Sequence, residues 1–239
     1  YAGIMKSVML RIAPEIRFID LTHNVAPQNI ISASYLLLSV WPYLPEGTVC
    51  LSVVDPGVGS KRRELIAEAG NRYLVTPDNG TVTMLTIEYP DARYFRIGDD
   101  RYRELTEDSG ASTTFHGRDL FAPIAAEIFR NGFDSMCADP VEPVILEGLL
   151  PQSAEAPKIF RYEPGRWLSA NVLHIDHFGN CITSLRLTNT IPEPPGEISR
   201  VHVGDATRKP FTVGRPAAYF SAVEPGAPLA HWGSAGCLE

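Results

Sequence analysis

Two apolar runs that each end on an aspartate constrain this chain most. Thr48-Val49-Cys50-Leu51-Ser52-Val53-Val54 leads into Asp55, and Tyr73-Leu74-Val75-Thr76 leads into Pro77-Asp78. Near-continuous β-branched and apolar runs suit strands covered on both faces, as in parallel sheets flanked by helices. Residues 30–41 are apolar on nearly every face and predict a helix buried on more than one side, with Pro42 as its stop. Leu120, Ile124, Ala125 and Ile128 recur at helical spacing and predict a second helix over 119–129. Residues 17–22 read as a further strand.

The composition changes after residue 137. Pro140, Pro143, Pro151, Pro157 and Pro164 fall in a stretch with little periodicity, which reads as a linker or extended crossover. Beyond Trp167 the runs are short and strand-like: 172–176, 181–185, 199–203, 211–213, 219–223 and 227–232. Such runs separated by turn residues predict a small sandwich or barrel. The expected architecture is therefore α/β: an α/β domain over 1–140 with a central, mostly parallel sheet, a Pro-rich linker over 141–165, and a small all-β, barrel-like domain over 166–239.

A chain of 239 residues can bury a sizeable core, and 44% apolar with 21% charged residues is a globular composition. A net charge of -7 argues against nucleic acid or an anionic membrane as partner and suits a cationic small molecule. The most apolar stretch, 30–44, is broken by Ser32, Ser34, Ser39 and Pro42 and is too short to span a bilayer. No signal peptide is legible. Cys50, Cys137, Cys181 and Cys237 form no C-x-x-C pair, so buried free thiols in a reducing cytoplasm are expected.

Polar clusters hang on the ends of the apolar runs. They are Asp55-Pro56-Gly57-Val58-Gly59 with Arg62, Pro77-Asp78-Asn79-Gly80, Phe115-His116-Gly117-Arg118-Asp119, and Asp176-His177-Phe178-Gly179-Asn180. Each joins glycine, which lets backbone approach a ligand, to Asp, Asn, His or Arg that can bond to it. Loops at strand ends are where α/β proteins place their chemistry. Any one cluster also reads as a plain turn, and Asp119 also reads as a first-turn helix acid. Four together predict a site.

The four clusters, in this order, resemble those of the S-adenosyl-L-methionine hydroxide adenosyltransferases, relatives of the fluorinase and chlorinase that act on the same substrate. The resemblance runs from Gly3-Ile4-Met5-Lys6 to Gly236-Cys237-Leu238-Glu239 and is most specific in the Phe115 and Asp55 clusters. It implies an enzyme in which water attacks C5′ of the ribose and expels methionine, leaving adenosine, with neither metal nor cofactor. The family's catalytic set falls on Asp55, Arg62 and His116, with Arg63 as the alternative register. Asp176 and Asn180 match the positions that hold the methionine end. Phe178 and Phe115 supply apolar walls, and Ser234 matches a further methionine-binding turn. Asp78 and Asn79 are expected on the adenosine side, and Tyr1 and Gln28 line the pocket.

The resemblance also implies a homotrimer whose site is completed by the C-terminal domain of a neighbouring subunit. Whether Asp176 meets Asp55 within one chain or across an interface stays open. In the family a first strand and a ribose-binding Asp precede the position of Tyr1, so the site is expected to be incomplete in this sequence. Three other readings are weighed. His174, Asp176 and His177, with His116 and Asp119, have the look of a metallohydrolase site. A non-catalytic adenosyl sensor is the second. A halide-using transferase is the third, disfavoured because Asp55 would repel a halide that must shed its water.

Overall fold

The computed structural model describes residues 1–106, 112, 114–146, 172–184, 201–203, 211–213 and 229–230. The chain divides into two compact units, Tyr1–Leu146 and Glu147–Glu239.

The first unit is built on a five-stranded sheet. Its strands are β1 (Val49–Leu51), β2 (Glu64–Ala69), β3 (Arg72–Pro77), β4 (Arg93–Arg96) and β5 (Asp139–Pro140), in the order β1-β3-β2-β4-β5. The two Asp-terminated runs are neighbours: β1 and β3 pair in parallel, with Val49 opposite Tyr73 and Leu51 opposite Val75. The α/β class holds, but the expected mostly parallel sheet does not. β2 runs antiparallel to both β3 and β4, and β4 antiparallel to β5. The reason lies in the Gly70-Asn71 turn, where both residues have positive φ (56° and 58°). A two-residue connection with both centres left-handed closes a hairpin and cannot join parallel strands.

Successive residues of the central strands face opposite layers. Ile66 and Val75 enter one core cluster with Met9, Phe121 and Ile124, while Leu65, Ala67 and Leu74 enter another with Leu37, Trp41 and Leu85. The sheet is thus covered on both faces. One cover is α1 (Ala2–Ile12) with α5 (Ala122–Asn131); the other is α2 (Ile30–Val40) with α3 (Thr83–Glu88). α2 begins where the Asn29 side chain accepts the Ser32 N–H at 2.9 Å and ends at a 3-10 turn over Trp41–Tyr43 containing Pro42. Its expected burial on several sides is observed: Ser32, Ala33, Ser34, Tyr35 and Leu37 are all buried. Ser34 Oγ accepts the Met84 N–H at 3.1 Å, so the polar group sits inside without an unmet bond.

Several elements differ from expectation. Residues 17–22 form no strand; Ile19 and Leu21 point to solvent, and Asp20 is tied to Lys6 of α1 at 2.6 Å. The ladder of β1 stops at Leu51, although Ser52 N–H still donates to Val75 O at 3.0 Å before the chain runs on to Asp55. The helix after His116 opens as a π turn over Gly117–Phe121 and becomes α-helical only at Ala122. An additional helix, α4 (Asp99–Thr106), follows β4. Residues 141–146 belong to the first unit: Val141 N–H donates to Tyr94 O and Leu146 N–H to Thr83 Oγ1, both at 2.9 Å.

In the second unit β6 (Val172–Ile175) and β7 (Cys181–Thr183) form one hairpin, and β8 (Val201–Val203) pairs antiparallel with β9 (Phe211–Val213). Among the described residues these two-stranded sheets do not close into a barrel. The run expected over 219–223 lies outside the described residues, as do most of 227–232. Of the cysteines, Cys50, Cys137 and Cys181 are free. Cys50 is buried, and burial pushes its thiol up to about 11. Cys137 is exposed, contrary to expectation: it follows the 3-10 turn Phe133–Met136 in a left-handed conformation at the edge of the unit. No helix of the described residues is long and apolar enough to cross a membrane.

Candidate active site

Two segments far apart in sequence meet at the carboxyl end of β1. The first is the loop 55–62, closed by its own bonds: Ser60 N–H donates to Gly57 O at 3.0 Å and Arg62 N–H to Ser60 Oγ at 3.2 Å. Gly59 takes φ 79°, a conformation glycine adopts at no steric cost. At Gly57 a Cβ would stand 3.3 Å from Ser60 Oγ and 3.4 Å from Arg62 Cγ, so the tight closure leaves little room for a side chain. The second segment is the π turn that His116 introduces. There Gly117 passes close to Met5 of α1, whose sulfur would sit 3.0 Å from an added Cβ.

The loop folds Arg62 back onto Asp55. Arg62 Nε lies 2.9 and 3.0 Å from the two carboxylate oxygens, and Nη2 also donates to Oδ2. The same Nη2 donates to His116 Nδ1 at 2.9 Å. Both side chains of the ion pair are nearly closed off, at 9% exposure for Arg62 and 6% for Asp55. Asp55, Arg62 and His116, predicted as one set, therefore form one hydrogen-bonded cluster. Arg63 turns away and binds Asp78, so Arg62 and not Arg63 is the arginine in this cluster.

The cluster fixes the state of the histidine. A guanidinium can only donate, so Nδ1 must accept, and the neutral imidazole carries its proton on Nε2. Burial lowers the His116 pKa below the ordinary value of 6.5, and the Arg62 charge lowers it further; Asp55 and Asp119 pull weakly the other way. The result is a neutral imidazole with an Nε2–H donor beside a charged guanidinium and an oriented carboxylate. Such a group can polarise a water and accept one of its hydrogens.

Phe115 lies beside this cluster. The Arg118 guanidinium sits over its ring at 4.8 Å, and Tyr1 meets it edge-on at 5.1 Å between centroids. Tyr1 is itself 90% exposed. Asp119 accepts the Ser112 N–H at 2.8 Å, and its pair with Arg118 holds its carboxyl below the usual range.

Asp78 and Asn79, expected on the adenosine side, are engaged by the protein itself. Asp78 accepts from Arg63 Nε at 3.0 Å and Nη2 at 2.6 Å, and from the Val144 N–H at 2.7 Å, with its side chain 1% exposed. Asn79 donates to Val54 O at 2.8 Å and accepts from Thr81 Oγ1 at 2.7 Å. Both brace the chain next to Asp55: a buried acid and a half-buried amide satisfy the neighbouring donors and acceptors.

In the second unit, Asp176 and Asn180 stand at the two ends of the β6–β7 hairpin loop. Asp176 Oδ1 accepts the Phe178 N–H at 2.8 Å and the Asn180 N–H at 2.9 Å; Oδ2 accepts Asn180 Nδ2 at 2.7 Å. Burial opposes ionisation, but the bonds from the Asn180 backbone and side chain and from Phe178 outweigh it and hold this carboxyl below its usual range. Gly179 takes φ 89° at the turn. Phe178, at the tip, is 87% exposed. Ser234 lies outside the described residues. Among the described residues no group of three or more His, Cys, Asp or Glu side chains is arranged to hold a metal ion.

Sequence reasoning missed Phe121. Its ring is fully buried and lies under the Arg62 guanidinium at 5.0 Å. Helical spacing marks Phe121 only as a core residue, and only the π turn gives it a second neighbour.

An α/β protein with a buried Asp–Arg–His cluster at a strand end belongs, in class, with the α/β folds that gather polar side chains beyond the carboxyl ends of their strands. The comparisons specify the family. The SAM hydroxide adenosyltransferase N-terminal domain matches residues 1–136, and the C-terminal domain of the same family matches 170–239. A Thermus thermophilus protein named (R)-S-adenosyl-L-methionine hydrolase is 38% identical over 243 residues, covering 100% of this chain and 85% of that protein. A Salinispora arenicola protein of the same name is 37% identical, covering 100% and 83%. An uncharacterized conserved protein from Thermotoga maritima, solved by crystallography, has a TM-score of 0.79 at 33% identity, covering 100% and 86%. The chain belongs to the SAM hydroxide adenosyltransferase family.

Proposed function

We propose that this enzyme hydrolyses S-adenosyl-L-methionine to adenosine and L-methionine by attack of water on the ribose C5′. The Asp55–Arg62–His116 cluster carries this reading, and the hydrolase name borne by full-length relatives supports it. Attack forms the C5′–O bond as the C5′–S bond breaks. The bonding pair goes to sulfur, methionine leaves as a neutral thioether, and water releases one proton. A sulfonium leaving group needs no general acid, so the site has only to orient and polarise a water. The reaction requires neither metal nor cofactor.

Each residue has a distinct part in this chemistry. Arg62 and the His116 Nε2–H favour a developing hydroxide over neutral water. Asp55 accepts a hydrogen from the same water and aims its lone pair. A halide finds no net attraction here, because Asp55 and Arg62 are locally neutral and desolvating an anion is costly. The metallohydrolase reading is not favoured: the Asp176 carboxylate already accepts three bonds within its own loop.

For binding, a carboxylate has roughly four acceptor positions. The three bonds within the loop leave Asp176 one position for the methionine ammonium, with Asn180 toward the carboxylate. Phe178, Phe115 and Tyr1 wall the substrate, and Ser234 adds a methionine contact. The enzyme acts as a cytoplasmic homotrimer with the site shared between subunits. Three free cysteines accord with a reducing compartment, and an exposed phenylalanine at a hairpin tip suits burial by a neighbour. Sedimentation velocity tests the trimer.

The test of function is incubation of metal-stripped protein with each sulfonium epimer in heavy-oxygen water at high chloride. Adenosine labelled at its 5′ oxygen, formed from the R epimer, is expected. Label in methionine, 5′-chloroadenosine, or an absolute need for added zinc would each refute the mechanism.

A further inference from the structure

The π turn at Gly117–Phe121 has a geometric consequence for Arg62. Its defining bond runs from the Ala122 N–H to Gly117 O, five residues back. In an ordinary α-helix, positions five apart lie about 140° apart around the axis, since each residue turns by about 100°. His116 and Phe121 are five apart, yet both touch one guanidinium: His116 Nδ1 lies 2.9 Å from Nη2, and the Phe121 ring centroid lies 5.0 Å from Cζ. The wider turn therefore brings two side chains onto one target that an α-helical turn would separate. π turns recur at functional sites for such reasons.

We infer that Phe121 is a positioning residue for the hydrolytic reaction, its ring face and His116 together holding the Arg62 guanidinium in the plane that grips Asp55. This rests on the hydrolytic reading of the Asp55–Arg62–His116 cluster. Asp55 occupies Nε and Nη2, so the guanidinium edge is fixed, but an edge contact alone leaves rotation about that edge free. The Phe121 ring, with the Arg62 Cζ 5.0 Å over its centroid, packs against the guanidinium and restricts that freedom, and its quadrupole favours the positive charge. The ring is itself immobile: Phe121 is fully buried in the core cluster that contains Met9 and Ile124. Glycine at 117 suits the same device, because an added Cβ would stand 3.0 Å from the Met5 sulfur, which would have to give way.

The experiment compares Phe121→Met, which keeps volume and apolarity without a ring, with Phe121→Tyr, which keeps the ring. Phe121→Met should lower kcat roughly tenfold with KM within about twofold, the split expected when a group acts on the transition state only. Phe121→Tyr should restore kcat to within about threefold of the parent. Ile124→Val, a core change on the same helix away from Arg62, controls for lost stability and should leave kcat unchanged. Independently of activity, the Arg62 Hε resonance of the parent protein should show a nuclear Overhauser contact with the Phe121 ring. An assigned Hε without that contact, or Phe121→Met with parental kcat, would overturn the inference even if one variant failed to fold. If Arg62→Ala retained full turnover, the hydrolytic reading would fail instead, and the Overhauser contact would still decide where the ring stands.

Discussion

The two polar loops of this enzyme are built on opposite plans. The 55–62 loop and the π turn bring together side chains 54 positions apart in sequence, Arg62 Nη2 donating to His116 Nδ1. The 176–180 loop is closed within five residues, every bond to Asp176 coming from its own turn. The first hides its charges and the second displays a phenylalanine to solvent. A buried pair gains strength from low local dielectric but fails when one member is removed. A local turn survives in isolation and adapts when a ligand or neighbour covers it. The proposed chemistry would draw on the former, and the proposed binding of a methionyl end on the latter.

The largest effect should come from dismantling the long-range cluster. Asp55→Asn, Arg62→Ala and His116→Ala should each lower kcat by ~10²-fold or more, the scale of general-base and charge-stabilising groups. KM should move far less. Steady-state kinetics checks this, and a change confined to KM would reverse the assignment of the two loops. Next, Asp176→Ala should raise KM by about ten- to a hundredfold, since a charge-assisted hydrogen bond is worth roughly 1.5–3 kcal/mol. An unaltered KM would mean that this loop does not hold substrate.

Asp78 offers a sharper contrast, because it resembles Asp55 in sequence and differs in use. Asp78→Ala should destabilise the first unit by about 1–3 kcal/mol, leaving the Val144 N–H and one face of Arg63 without an acceptor. Denaturant unfolding measures that loss, and KM for the folded fraction should stay within about twofold. A selective KM defect would return Asp78 to the adenosine pocket.

The smallest effect concerns pH. His116 has a folded pKa below 6.5, chiefly from burial and then from Arg62. Its contribution to stability is therefore complete above about 6.5 and falls as pH drops from there toward the folded midpoint, because the unfolded chain takes up the proton first. Turnover should fall around that lowered folded midpoint, as Nδ1 is protonated and Arg62 displaced. In Arg62→Ala, the His116 midpoint followed by NMR should move upward; a midpoint unchanged in that variant would mean that the guanidinium does not face the ring.

Much of this molecule was legible in short stretches of chain. The Asp-terminated runs are strands because β-branched apolar residues are favoured where both faces are covered, and they pair in parallel as neighbours. The buried helix at Ile30–Val40 follows from its apolar surface and its Asn29 and Pro42 boundaries. The hairpin loop at Asp176 follows from Asp, Gly and Asn at fixed offsets, which bond locally wherever the chain places them. The antiparallel β2 went unread, because its Glu-Ala pattern hides a strand and the left-handed geometry of Gly70-Asn71 shows only in the fold.

Other features were decided only by tertiary structure. Nothing near Asp78 in sequence tells that Arg63 and residue 144 would enclose it, whereas Asp55 receives Arg62, which in turn meets His116. Both aspartates end β-branched runs and both precede glycine-containing turns. Which one joins the Arg62–His116 cluster depends on where a helix about 40 to 60 residues later docks on the sheet. The sequence by itself determined the residue types and the local turns, because those energies reach only a few residues along the chain. Burial, the tautomer of His116 and the second role of Phe121 arise from contacts between segments, and those exist only once the core has closed.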